Sequence, residues 1–555
     1  MEPKSPSKLK LSVSGFSRCK RVLKLCSCFT LVLLLLSGVY FAFRPTTARD
    51  YYTVVVDCGS TGTRVNVYKW ETRGLSLRDL PVLLQSYPDN SSVGVLSKNS
   101  SCKYHCMQTE PGLDEFIGNA TGVRVSLEPL ILLAERWVPR ERHKETPIFV
   151  LATAGLRRLQ IEDARRVLDD VEEVVREHSF VYRRSWIRVL SGKEEAYYGW
   201  VALNYKMGSL GNSSRGPTLG LLDLGGSSLQ VVMEVDGGIR DDEHFIRSKI
   251  GSVEHWILAY SLPSFGLNEA FDRTIGMLNE NQHVRGSSDG FKLKHPCLAS
   301  DYVQNYTCHS CNMLDITNGK NFNGEMHQRE HTHTYLVGDP DWERCKRAAK
   351  AAAMNSSSLD LSQPTVSSNC GTSLSGRGIL NLTAGMHHTG RFHALSGFFV
   401  VYNKLNLTSR ANLTKVWQKA QQLCSKSWAE LSSTFGNQSY IGQYCFRVPY
   451  MASLIEDALC LGDEEIIFGP GDLSWTLGAA LVEGNYLWLL PIGTSSTLSM
   501  KTVEVIHFPI FVFILLLSLS LVVYYCQIKL PMLGKKVPAA GLALPSYVYQ
   551  KRSPN

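Results

Sequence analysis

Two segments 166 residues apart carry the same pattern: an apolar strand ending in aspartate, a turn of Gly, Ser and Thr, and a β-rich return strand. In the first, residues 52–57 (YTVVVD) run into Cys58, Gly59, Ser60, Thr61, Gly62 and Thr63, and residues 64–68 (RVNVY) return. In the second, residues 219–224 (LGLLDL) contain Asp223, Gly225, Gly226, Ser227 and Ser228 turn the chain, and residues 229–234 (LQVVME) return. Each predicts a β-hairpin, with glycine permitting the tight turn. A repeat at this distance predicts two related lobes rather than a solenoid. Residues 148–153 (IFVLAT) and 187–190 read as strands, 161–177 as an amphipathic helix, and 191–200 as the start of another. Strands alternating with helices imply an α/β fold. The expected division is lobe I over 50–191, with a returning segment over about 461–485, and lobe II over 192–460. Residues 278–345 are expected to form an elaborated polar loop region, and 391–480 to be aromatic and helical.

The net charge of +8 would suggest nucleic acid if it were spread through the chain. It is not: residues 1–43 carry +6 and residues 527–555 carry +5, leaving a mildly acidic middle. Beside each basic end lies an apolar run without a charge, residues 26–43 and 508–526. Each is about long enough to cross a ~30 Å hydrocarbon core as a helix. The basic flanks predict two membrane spans, basic tails (1–25 and 527–555) in the cytosol, and the middle in the lumen or outside the cell. A cleaved signal peptide is the competing reading of the first run. Ten N-x-S/T sites, at Asn90, Asn99, Asn119, Asn212, Asn305, Asn355, Asn381, Asn406, Asn412 and Asn437, all fall between the runs and predict a glycosylated domain. Eleven of the 15 cysteines fall there too, which suits an oxidising compartment. Cys58, inside a buried strand-turn, is expected to stay reduced and the other ten to pair.

A phosphate-cleaving site needs backbone amides for phosphate oxygens, carboxylates for a divalent cation, and a base to activate water. Ser60, Thr61, Gly62 and Thr63 of the first turn can wrap a terminal phosphate, and Gly225, Gly226, Ser227 and Ser228 approach it from the other lobe. Asp57 and Asp223, at matching strand ends, are the candidate cation holders. The candidate base lies in SGKEEAYYGW at a strand–helix junction, where chemistry alone leaves Glu194 and Glu195 equal. A helix N-terminus equally favours a glutamate with no catalytic role.

VVVDCGSTGTRVNVY, LATAGLRRL, LSGKEEAYYGW, LLDLGGSSLQ and SWTLGA occur in the order of the conserved regions of apyrases. Over about residues 50–482 the chain resembles the ectonucleoside triphosphate diphosphohydrolase (GDA1/CD39) family. That resemblance implies an actin/Hsp70/hexokinase-like (RNase H-like) two-lobed fold, with nucleotide and Ca²⁺ or Mg²⁺ in the cleft. Position by position it makes Glu195 the base and Ser228 a holder of the attacking water. It assigns Asp57, Asp223 and Gln230 to the cation, mainly through water, and Ser60, Thr61, Gly62, Gly225 and Gly226 to the phosphate loops. Thr153 also faces the phosphates, Arg64 and Arg157 match motif arginines with structural and direct roles both open, and looser matches place Phe399 and Tyr450 near the nucleobase as a stacking pair, with ordinary core packing the alternative. Cys58, Ala196 and Ser227 depart from the usual Ala, Gly and Ala, and none removes a catalytic group.

The implied activity is stepwise hydrolysis of nucleoside tri- and diphosphates. A Golgi-type diphosphatase preferring GDP or UDP is the alternative within that class. A non-hydrolysing nucleotide-binding switch or a dead receptor of the same fold are the alternatives outside it.

Overall fold

The computed structural model describes residues 50–71, 80–88, 108–210, 216–235, 243–250, 253–284, 292–308, 332–356, 370, 379–380, 389–410, 412–436, 440–462 and 465–484. Both apolar runs, both tails, and Asn90, Asn99, Asn212, Asn381 and Asn437 lie outside these residues. Among the described residues no helix is long and apolar enough to cross a membrane.

The first half builds one sheet. Its strands are β1 (Asp50–Gly59), β2 (Gly62–Glu71), β3 (Val82–Tyr87), β4 (Gln108–Thr109), β5 (Ile148–Ala152) and β6 (Ile187–Val189). The order is β3-β2-β1-β5-β6, with β4 on β2. Helices α1 (Ala120–Trp137), α2 (Ala154–Arg157) and α3 (Ile161–Arg176) follow the strands, and α4 (Gly192–Lys206) leads out of the lobe. β1 is covered on both faces, so Val54, Val55 and Val56 are all fully buried. That is why its sequence is a continuous apolar run rather than an alternation.

The second sheet repeats the plan. It contains β7 (Thr218–Leu224), β8 (Ser228–Glu234), β9 (Phe245–Ile250), β10 (Val253–Pro263), β14 (Thr389–Ser396) and β15 (Ile466–Phe468), in the order β15-β14-β7-β8-β10-β9. In each sheet the Asp-bearing strand pairs antiparallel with its hairpin partner and parallel with a strand from later in the chain. Helices α5 (Leu267–Val284), α6 (Trp342–Ala353), α7 (Gly397–Lys404), α8 (Leu413–Cys424), α9 (Trp428–Phe435) and α10 (Tyr444–Ser453) surround it.

Among the described residues three apolar cores result. One belongs to the first sheet and one to the second. The third joins them: Val55, Phe149 and Leu151 of the first sheet meet Leu221, Val232 and Leu395 of the second through α4 and the last helix, α11 (Trp475–Glu483). Gly478 of α11 makes this contact close, since a Cβ there would lie 1.8 Å from the carbonyl oxygen of Tyr198 in α4. Trp475 stacks on Tyr198 with ring centroids 6.5 Å apart, packing α11 against α4.

Two sequence expectations change. The return to the first lobe starts at α11 rather than near residue 461, because β15 still pairs with β14 of the second sheet. The region 278–345 is not merely a loop. It holds β11 (Lys292–His295), β12 (Val303–Cys308) and β13 (Thr332–Gly338), a separate three-stranded sheet in the order β11-β13-β12. Short strands with exposed polar faces give a weak sequence signal. A disulfide between Cys297 and Cys345 ties this region down. Cys370–Cys460 and Cys424–Cys445 are also bridged, Cys308 is disulfide-bonded, and Cys58 is buried and reduced. Cys102, Cys106 and Cys311 lie outside the described residues.

Candidate active site

The two hairpin turns meet. Gly59 pairs with Gly62 at the tip of β1–β2, leaving Ser60 and Thr61 as the turn. Ser227 Oγ donates to Ser60 Oγ at 3.0 Å, and a Cβ on Gly226 would sit 3.2 Å from Thr61 Cγ2. Among the described residues the backbone N–H groups of Ser60, Thr61, Gly226 and Ser227 donate to no carbonyl. Four unspent amides on two facing turns form a place for anionic oxygens. Thr153 lies alongside: it follows β5, is buried, and its N–H donates to the Cys58 carbonyl at 3.1 Å.

The carboxylates lie beneath the turns. Asp57 is 5% exposed and pairs with Arg64 at 3.2 Å, while its Oδ1 is buried and makes no hydrogen bond. Burial raises its pKa, and Arg64 only partly opposes this. Asp223, at the equivalent place on β7, is raised by burial and by Asp57, with a Ser396 hydrogen bond opposing. Its strand neighbour Gln230 donates Nε2 to Ser228 Oγ at 2.7 Å and to Ser261 Oγ at 3.3 Å, leaving the amide oxygen as an acceptor. Two carboxylates that repel each other, one with an orphaned buried oxygen, beside an amide oxygen form a hard-oxygen donor set. That set suits a hard divalent cation.

The structure separates Glu194 from Glu195. Glu194 closes a capping box with Ser191 and pairs with Arg188 at 2.7 Å, so it is spent on the helix end. Glu195 points inward. Arg157 Nη2 donates to its Oε2 at 2.8 Å, and Arg157 Nη1 holds the Leu190 carbonyl at 3.0 Å. Burial lifts the Glu195 pKa to about 7; Arg157 opposes the rise, and Asp57 and Asp223 add to it. A carboxylate titrating near neutrality beside an anion-binding turn is suited to general-base work. Gly192 places the start of α4 against Ser261, because a Cβ there would lie 2.4 Å from Ser261 Oγ. Through Gln230, that contact leads to Ser228.

Several expected contributors are closely packed against their neighbours. The α-carbon of Gly62 faces β4, where a Cβ would meet the Thr109 carbonyl oxygen at 2.5 Å, and Gly62 has a φ of +154°. Its glycine is explained by strand packing. Thr63 is fully buried opposite Cys58 rather than on the turn surface. Tyr450 is also fully buried: its hydroxyl donates to the Phe265 carbonyl at 2.6 Å, and its ring stacks on Phe446 at 5.4 Å. Phe399 is half-buried and packs beside Gly469 and Gly471. An aromatic spacing in sequence cannot tell a core ring from a ligand-facing one.

Ser396 and Ser261 were missed by sequence reasoning. Ser396 lies at the end of β14, level with Leu224, and hydrogen-bonds Asp223. Its φ of +52° and ψ of −114° are rare for a residue with a side chain, and such backbone strain concentrates at functional sites. The Ser-Gly step at 396–397 is the faint sequence signal for that turn.

A model of the GDA1/CD39 (nucleoside phosphatase) family matches residues 44–491. "Probable apyrase 7" of Arabidopsis thaliana is 36% identical over 506 residues, covering 90% of this chain and 65% of that protein. The chain therefore spans slightly less than two thirds of that relative's length. Ectonucleoside triphosphate diphosphohydrolase 7 of Xenopus tropicalis is 24% identical over 547 residues, covering 86% of this chain and 81% of the other. Among solved structures, nucleoside triphosphate hydrolases from Neospora caninum share 15% identity at a TM-score of 0.53, covering 84% of this chain and 98% of that one. That likeness concerns the fold, which is the two-lobed actin-like α/β arrangement described above. With its duplicated Asp-turn hairpins and a family match over most of its length, this chain belongs to the GDA1/CD39 nucleoside phosphatase family.

Proposed function

We propose that this protein hydrolyses nucleoside tri- and diphosphates to release inorganic phosphate, as an apyrase. The observation that carries this is Glu195, a buried carboxyl with a pKa of about 7, electrostatically coupled to both strand-end aspartates. Amides of Ser60, Thr61, Gly226 and Ser227 would hold the terminal phosphate in line for attack. Ser228, oriented by Gln230, would position a water, and Glu195 would take its proton as it attacks phosphorus. Water displaces the nucleotide directly, so no covalent phosphoenzyme is needed. Arg157 keeps Glu195 charged and aimed. Asp57 and Asp223, with Gln230, are the residues that would hold Ca²⁺ or Mg²⁺. When bound, such a cation would neutralise charge on the phosphate oxygens.

The topology belongs to the same proposal. Residues 26–43 and 508–526 would anchor the protein in a plasma or secretory-pathway membrane, with both tails cytosolic and the catalytic domain luminal or extracellular. The five sequon asparagines within the described residues, Asn119, Asn305, Asn355, Asn406 and Asn412, are all exposed. Two of them, Asn119 and Asn412, cap helices through the side-chain oxygen, which leaves the amide nitrogen for a glycan.

The test is phosphate release by the full-length protein from ATP, ADP, GDP and UDP, with Ca²⁺, Mg²⁺ or EDTA. Activity in one divalent cation and its loss in EDTA is the expected result. Glu195→Gln should cost at least about 10²-fold in turnover. Absence of release from every nucleotide, or full activity in EDTA, overturns the reading.

A further inference from the structure

Arg158 bridges the lobes next to the facing turns. It follows α2, the short helix that packs on the first turn: a Cβ on Gly155 would lie 3.1 Å from Ser60 Cα and 2.7 Å from Asp114 Oδ1. Gly112 repeats this closeness, its Cβ position lying 2.8 Å from the Gly59 carbonyl oxygen and 2.6 Å from Asp114 Oδ1. Asp114 and Arg158 are thus fixed to the outside of the first turn. Across the cleft, α5 is fixed to the second turn. Leu267 N–H donates to the Gly225 carbonyl at 3.0 Å, and those of Asn268 and Glu269 donate to the Gly226 carbonyl at 2.9 and 3.3 Å. Gly266 lets α5 approach, since a Cβ there would lie 2.3 Å from the Ser227 nitrogen. Arg158 spans the gap. One guanidinium nitrogen is bonded to Glu269 of α5, and the other lies 3.5 Å from Asp114 Oδ2. Both carboxylates are only 8% exposed.

We propose that Asp114, Arg158 and Glu269 form a clasp that sets the spacing between the two phosphate turns. Arg158 and Glu269 are then positioning residues for the hydrolysis proposed above, on which this inference rests. The clasp links the elements that carry the turns, so its geometry is transmitted to them by backbone contacts on both sides. Ser60–Ser227 links the turns directly, and it is a neutral pair that an incoming phosphate would displace. The clasp stays. Arg158 is not free to act as a phosphate ligand, because leaving Glu269 would strand a buried carboxylate beside a polyanion. Sequence alone reads Arg158 as the second member of an Arg-Arg pair in LATAGLRRL. The two neighbours divide the work: Arg157 holds the base, Arg158 holds the lobes.

The test compares wild type, Arg158→Leu, Glu269→Gln and the double variant as full-length proteins. Nucleotide hydrolysis gives kcat and KM, and hydrogen exchange without nucleotide reports the hydrogen-bonded amides of two segments, Gly225 in one and Ser264 with residues 267–269 in the other. Each single variant should lower kcat about tenfold with KM changed less than about threefold, because misplaced turns cost rate more than ground-state binding. Both should speed exchange in those two segments. The double variant should be no slower than the worse single, because the residues act through one another. Glu269→Gln is isosteric and keeps the test alive if Arg158→Leu does not fold. An increase in KM at unchanged kcat for Arg158→Leu, with Glu269→Gln silent, makes Arg158 a phosphate ligand and overturns the clasp. Unchanged exchange in both single variants also overturns it. If wild type hydrolyses no nucleotide, the functional reading fails while exchange still decides the clasp.

Discussion

Glu195 is placed where burial, a cation and two anions act on one proton. The net result is a pKa of about 7, against about 4.5 for an unperturbed glutamate. A base must be deprotonated, so kcat/KM should rise with pH through an acidic limb near 7. Arg157 is the group that opposes the rise. Arg157→Met should move that limb to higher pH and lower activity at neutrality, which a pH–rate profile of both proteins would reveal. Stability runs in the opposite direction. Between about 4.5 and 7 the folded carboxyl holds a proton that the unfolded chain releases, so stability falls as pH rises through this window. Glu195→Gln removes that loss, and at pH 8 should be more stable by about 1–3 kcal/mol in denaturant unfolding. An unchanged or lower stability at pH 8 would mean that Glu195 is better solvated than its 12% side-chain exposure implies. Sequence chemistry left Glu194 and Glu195 level. The capping box spends one and the fold buries the other, a distinction made by helix orientation and by Arg157, 38 residues away.

At the scale of elements, the paired helices α4 and α11 join the lobes. Their contact depends on Gly478, whose Cβ position falls 1.8 Å from a backbone oxygen that cannot rotate aside. Gly478→Ala should therefore force the helices apart and destabilise the protein by about 1–3 kcal/mol or more. It should also lower activity more than an equally destabilising change remote from the cleft. Thermal unfolding and turnover measured together decide this; a variant with wild-type melting temperature and rate would show that the helices slide without cost. The hairpins β1–β2 and β7–β8 were legible in sequence because a buried strand, an aspartate and a glycine turn follow one another locally. The sheet β11-β13-β12 was not, because its strands are brought together from distant segments and keep polar faces exposed. Sequence left stacking and core packing level for Tyr450 for a related reason: α10 is buried on every side, so its aromatic positions carry no sign of which face meets ligand.

For the whole molecule, charge placement and glycan sites make one prediction about topology. Glycosidase treatment of protein from a secretory expression host should remove mass, and Asn→Gln at the five exposed described sites should reduce the shift stepwise. Protease added outside sealed vesicles carrying the protein in its biosynthetic orientation should cut the tails and spare residues 50–484. Cleavage of the middle with protected tails would reverse the orientation. Three described disulfides, with Cys308 also bonded, fit the same oxidising side, and Cys58 stays apart because the first sheet buries it.

What the amino-acid sequence determined by itself is local or additive: strand-turn-strand repeats, the lobed α/β plan, charge at the ends, and the residue types a phosphatase site requires. Each follows from neighbours in the chain or from composition. The tertiary structure decided what depends on approach between distant segments. It buried Glu195 while spending Glu194 on the helix end, packed Gly62, Thr63 and Tyr450 closely against their neighbours, and brought Ser396 to Asp223. It also joined Arg158 to Glu269, 111 residues on. Such contacts form only when the two sheets are assembled, because burial and the direction of a side chain are properties of the packed chain and not of its order.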